Sequence, residues 1–465
     1  MLLSLFALAF TGCTEDKVEY TSFDVSGDSY TFDGGGVQTY KIEVQSPMDG
    51  WKYTVEGDWV TIVAKDATSL TIGAQINMLP TERSGKVVFT AGTQTLRVVV
   101  RQLPISESCY RTVDDLETLA MSPGGVYIGG FRKGLGEDKA FYYTPVVIEM
   151  ATGKRTEFEK MSKPYMVRAI TDQGDMIYNN DLACYIQKLD GTITSPTVVA
   201  GYTNPVISSV SVGAGGVMVG YCKKGRVFSG VKWANMESVG EILESPTTNS
   251  WGDPLKSGVL ARGCSADGSI IYGTEWDKRS PVYWTADGTV HHAGADLLKR
   301  ETGIITNPNT GKDQEVKFTN FATLPADVNN MSPNGKYIAF AYNKTTIANK
   351  IATRNYYAVL FDIETGESTV VEQYDDATGI TVLDDGTLAI GMPYGAVRSG
   401  AIYDSKSKTT MSTTQWIKQK YNLIITEDYP IYKMATDEKT VLLARPLPNG
   451  VTLTYRFAYI FNEKH

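Results

Sequence analysis

Arginine forks interleaved with aromatic rings are the residues of this chain whose types best suit binding chemistry. Arg132, Arg226, Arg279, Arg354 and Arg398 recur through residues 104–465, in company with Tyr221, Trp276 and Tyr394. A guanidinium offers parallel N–H donors that match the paired oxygens of a carboxylate or sulfate. A Tyr or Trp ring is rigid, flat and cheap to order against a ligand. The combination suits an anionic sugar or peptide.

Other chemistries lack their signatures. There is no Gly-x-Ser-x-Gly elbow, phosphate-binding loop, dinucleotide fingerprint or zinc-protease helix. Only three His exist, and His291 and His292 are neighbours. On a strand such neighbours point to opposite faces, so the pair is a poor metal site. No metal and no cofactor is expected. A formal charge of −8 argues against nucleic acid as a partner. Carboxylates are plentiful, with 52 Asp and Glu, so a catalytic pair for glycoside hydrolysis or polysaccharide lysis stays open.

The stretch "SADGSIIYGTEW" from Ser265 to Trp276 shows what positions these residues. Its pattern of polar turn then apolar strand recurs from Met121, Ile170, Ser211, Cys264, Met331, Val382 and Ala435. Six of the seven copies place Gly in the turn, where a positive φ costs little. Each is followed by a further strand and turn, as in "VYWTADGTVHH" and "AVLFDIETGESTVV". A unit of about four short strands cannot cover its own faces, whereas radial packing of such units can. The reading is a β-propeller, counted as seven-bladed. Asp267 then holds a turn through its own backbone. The spaced acidic pattern of a calcium loop is absent.

In a propeller the connection after each blade's second strand faces one common side. Those connections are 129–145, 179–184, 220–230, 273–281, 341–357, 391–400 and 444–456, and they hold 14 Lys/Arg against 5 Asp/Glu. The Arg and aromatic residues named above fall in them. The expectation is one basic, aromatic face.

Residues 23–103 alternate apolar and polar with period two, broken by Gly, Asp and Pro, which suggests a β-sandwich. The chain as a whole reads as all-β. Ahead of these residues, "MLLSLFALAFTGCTED" has an apolar run at 2–10, too short to span a bilayer and suited to a signal peptide. Four further cysteines, Cys109, Cys184, Cys222 and Cys264, allow three complete pairings or free thiols.

Four resemblances follow from these residues. Phe10-Thr11-Gly12-Cys13 resembles a bacterial lipobox, which implies lipidation of Cys13. The following Thr14-Glu15-Asp16 resembles the surface-export signal of Bacteroidetes lipoproteins. "GDWVTI", Asn77, Arg83-Ser84-Gly85 and a last strand ending in Gln102 resemble the BACON domain, an immunoglobulin-like module. That family is proposed to bind carbohydrate, or else to act as a spacer. "SPNGKYIAF" and "SADGSIIYGT" resemble WD40-like and PD40-like blade motifs. The implied order is a signal peptide at 1–12, a lipidated linker at 13–22, a BACON-like sandwich at 23–103 and a propeller at 104–465. The implied location is the outer membrane, lipid-anchored and surface-exposed, with an extracellular glycan as partner. A glycoside hydrolase or lyase and a protein-binding scaffold are the other classes that fit.

Overall fold

The computed structural model describes residues 22–32, 34, 38–46, 50–75, 77, 79, 81–104, 110–113, 115–136, 140–163, 165–179, 183–213, 216–324, 330–392, 399–421, 423, 425, 428–446 and 455–461. Cys13, Cys109, Tyr394 and Arg398 lie outside them. The chain divides into two compact units, Met1–Cys109 and Tyr110–His465. It is nearly all-β.

The first unit has two four-stranded sheets. One orders its strands Asp24–Val25, Thr39–Gln45, Ser69–Ala74, Val60–Lys65. The other runs Ser29–Phe32, Gln94–Gln102, Arg83–Ala91, Lys52–Glu56, and its first pair is parallel. Alternate residues of both sheets, among them Ile42, Ile72, Phe89 and Val98, meet in one core. Trp51 and Trp59 belong to it, each 5% exposed. Asn77, Arg83 and Gln102 form a single polar network. Asn77 Nδ2 donates to the carbonyls of Thr81, Gln102 and Leu103. Arg83 Nε donates to Gln102 Oε1 at 2.8 Å, and Gln102 Nε2 to Gln75 O at 2.8 Å. These three residues satisfy backbone groups at the end of the unit, which is a structural role.

The second unit is a β-propeller. Its sheets follow one another in chain order, seven among the described residues. The first comprises Leu116–Met121, Tyr127–Leu135, Phe141–Glu149 and Arg155–Glu157. Each core cluster joins two successive sheets. Ala120 and Phe131 of the first meet Ile170 and Tyr178 of the second. Ile177 of the second meets Trp233 of the third. Val219 meets Trp284 of the fourth, and Tyr272 meets Phe340 of the fifth. Ala339 meets Ile390 of the sixth. Met121 of the first also meets Leu442 of the seventh, so the circle closes. The seventh sheet is itself completed by Tyr110–Val113, which pairs antiparallel with Tyr455–Phe461. That strand comes from the opposite end of the unit.

The repeated turns hold the circle at one end. Thr436 N donates to Pro123 O at 2.8 Å, linking seventh and first sheets. Asp172 accepts from Gly124 N at 2.7 Å and from Gly213 N at 3.1 Å, so one carboxylate ties the first three sheets. Val212 N donates to Ala266 O, Ala266 N to Pro333 O, and Asn334 N to Asp384 Oδ1. Asp267 caps its own turn, accepting from the Ser265 and Ser269 hydroxyls and the Ser269 N–H. The Ser265 hydroxyl foremost holds its carboxyl below the usual range. Gly268 has φ 71, which a side chain would strain.

Two sheets depart from the four-strand expectation. The third gains Thr197–Val198, parallel to Val239–Ile242. The fifth gains a hairpin, Lys299–Thr306 with Asp313–Thr323, which accounts for the widest spacing between repeats. A helix, Thr413–Tyr421, follows the sixth sheet and buries Trp416, Ile417 and Tyr421. Cys184, Cys222 and Cys264 are free thiols.

Candidate ligand-binding face

The hairpins joining second and third strands lie at the opposite ends of the strands from the linked turns, so they share the other face. Arg132, Tyr221, Arg226, Trp276, Arg279 and Arg354 are all on or beside these hairpins. The structure draws only some of them together. Tyr221 and Trp276 meet through Phe228: ring centroids are 5.6 Å apart for Tyr221–Phe228 and 4.5 Å for Phe228–Trp276. Phe228 is buried, and Trp276 stays 46% exposed. Trp276 therefore packs on one ring and leaves the rest of its surface to solvent. Lys223 Nζ lies 4.7 Å from the Phe228 centroid. Arg226 is exposed in the tight turn between Met218–Lys224 and Val227–Trp233.

The other arginines are used differently. Arg132 already places both fork nitrogens on Glu157, each at 2.6 Å. Its bidentate capacity is taken within its own sheet. Arg279 has φ 57 and turns the hairpin; its carbonyl accepts from Leu324 N at 3.0 Å. Its side chain is exposed. Arg354 lies on the fifth sheet's long hairpin, with Nε 3.5 Å from Thr345 Oγ1.

Lysines pair with rings on this face repeatedly. Lys133 lies 4.1 Å from Phe141, Lys160 4.3 Å from Tyr142 and Lys278 4.4 Å from Trp251. Such cation–aromatic pairs are attractive, and more so when partly desolvated. Exposed Leu135, Phe141, Val227 and Ile351 sit on the same hairpins, and exposed Ile304 on the fifth sheet's added hairpin.

Glu275 and Trp251 were not legible as site residues. Glu275 ends the strand Ile271–Glu275 and is fully buried. Its Oε1 accepts from Ser250 N at 2.6 Å and lies 3.1 Å from His292 Nδ1. Ser250 Oγ donates to Ser280 Oγ. Glu275 is thus a positioning residue: it pins residues 249–253, which carry Trp251 toward Lys278 and Phe321. His291 instead stacks on Tyr283 at 5.0 Å. The two histidines diverge, as neighbours on a strand do.

No family model matches the chain, and no curated protein does. Solved structures that the chain matches in part include a GH5 xyloglucanase of Bacteroides ovatus in complex with a XXXG heptasaccharide. It is 17% identical over 26% of this chain and 30% of that one, with a TM-score of 0.16. TolB of Acinetobacter baumannii is 14% identical over 63% of this chain and 61% of its own, with a TM-score of 0.29. The β-propeller domain of the trilobed protease of Pyrococcus furiosus is 10% identical over 75% and 94%, with a TM-score of 0.39. The chain thus spans less than two thirds of the xyloglucanase and of TolB. None of these likenesses bears on ligand or activity.

Proposed function

We propose that this chain is a lipid-anchored surface protein of the outer membrane whose propeller binds an extracellular glycan, with anionic glycans preferred. In this reading the seven sheets are seven blades, and the first unit is an immunoglobulin-like sandwich of BACON type that spaces or assists the propeller. The observation that carries the binding reading is the run Tyr221–Phe228–Trp276 with Lys223 beside it and Arg226 on the adjoining turn. An open aromatic face next to several cations suits a sugar ring bearing a carboxylate or sulfate.

A glycan array probed with residues 23–465 tests it. Uronic-acid or sulfated oligosaccharides should bind best, and their signals should fall as salt rises. Binding confined to neutral glycans, or none at all, contradicts the proposal. For the anchor, Cys13→Ala should release the protein from the membrane fraction, and retention of the variant there would refute lipidation at Cys13.

A further inference from the structure

At the turn end of the propeller, the inner strands line a partly open cavity of roughly 20 Å³ formed by Ser211, Cys264, Met331, Thr381, Lys433 and Thr436, among others. That is room for one or two water-sized species. Lys433 comes from Ile431–Met434, the first strand of the seventh sheet. Its ammonium donates to Met121 O at 2.8 Å. A lysine has three N–H donors, and among the described residues no carboxylate lies within ion-pair distance of this one. The cavity lining contains no Asp or Glu. Asp172 attracts Lys433 from a distance, but each of its oxygens already holds a backbone N–H. Lys433 is half-buried, and a positive charge drawn part-way out of water is costly unless a counter-charge reaches it.

We infer that this axial cavity is a binding site for a small monovalent anion, of the size of chloride or formate, held by Lys433. The cavity lies at the turn end of the strands, opposite the hairpins of the proposed glycan face, so the two sites are separate. Burial, opposed by Asp172 and Cys264, lowers the Lys433 ammonium to about 8. Burial likewise pushes the Cys264 thiol up to about 12. At neutral pH the cavity therefore presents an ammonium and a neutral thiol. Asp172, from the turn of the second sheet, and Cys264, from Val259–Cys264, are the titratable groups that act on Lys433.

Two experiments on the full chain decide the matter. Crystals soaked in sodium bromide should give an anomalous peak within hydrogen-bonding reach of Lys433 Nζ. In solution, chloride should raise the melting temperature saturably relative to gluconate at equal ionic strength. Lys433→Met should abolish that rise. The chloride affinity should fall about tenfold per pH unit above about 8, as the ammonium deprotonates. A cavity without anomalous signal overturns the inference, and so does a chloride response that survives in Lys433→Met. Should that variant not fold, the bromide peak in the wild-type protein decides alone.

Discussion

Lys433 shows how little a residue's sequence surroundings say about its role. In "IYKMATDEKT" it looks like one more solvated lysine. Only circular closure, which sets the seventh sheet against the first, carries it to the axis. Its lowered pKa has a stability consequence. The unfolded chain keeps the proton up to the ordinary lysine value of 10.5, while the folded chain gives it up near 8. Between those values the unfolded state binds more protons, so Lys433 contributes stability that rises with pH. The charged form costs the fold about 3 kcal/mol at neutral pH, from the size of the shift. In buffer without small anions, Lys433→Met should therefore stabilise the protein at pH 7 and do so much less at pH 10. Denaturant melts at the two pH values check this. An equal effect at both would show that the ammonium carries no such burden.

At the scale of elements, the repeated turn both punctuates the chain and links the blades. Asp267 and its Gly were legible as a turn because Asp-Gly favours one locally. Asp172 was not, since its partners, Gly124 and Gly213, lie on two other sheets. Asp172→Ala strips two backbone N–H groups of a charged acceptor and should cost about 2 kcal/mol. Asp172→Asn, which keeps one acceptor oxygen, should cost less. Chemical denaturation measures both, and an Ala variant as stable as wild type would remove Asp172 from the linkage. The hairpins of the fifth sheet illustrate a different limit. The sequence shows alternation there but not where the strands part. Asn320 marks that fork, accepting from Thr345 N at 2.7 Å and donating to Glu301 Oε2. The tips rejoin through Lys350 and Asp313 at 2.6 Å. Arg132, Arg226, Arg279 and Arg354 lie on or beside their hairpins, because register fixes the end of a strand; Arg398 lies outside the described residues. What register could not fix is side-chain occupancy. Arg132 spends its fork on Glu157, a residue of its own sheet's last strand. Phe228 was overlooked because an alternating strand hides which ring bridges to the neighbouring sheet.

Across the whole molecule, period-two patterning and repeated turns made the β architecture readable without any long-range information. The closing strand was not readable. Tyr110–Val113 pairs with Tyr455–Phe461, a contact between sequence-distant segments that no local pattern announces. Its removal has a clear expected result. A fragment 104–465 should melt cooperatively, and so should 23–103. A fragment starting at 115 leaves the edge of Tyr455–Phe461 unpaired, and exposed edges invite association. It should melt lower and aggregate on heating. Equal melting temperatures for the fragments starting at 104 and 115 would mean that the closing strand contributes nothing.

The central claim is that the exposed aromatic run with its neighbouring cations binds an anionic glycan. Titration calorimetry of wild type and Trp276→Ala with the best-binding uronic-acid or sulfated oligosaccharide, at low and high salt, tests it most directly. The account predicts that wild-type affinity falls with salt. It also predicts that Trp276→Ala weakens binding by about tenfold or more at both salt concentrations, since stacking area rather than charge is lost. Affinity that is indifferent both to salt and to Trp276→Ala would contradict it.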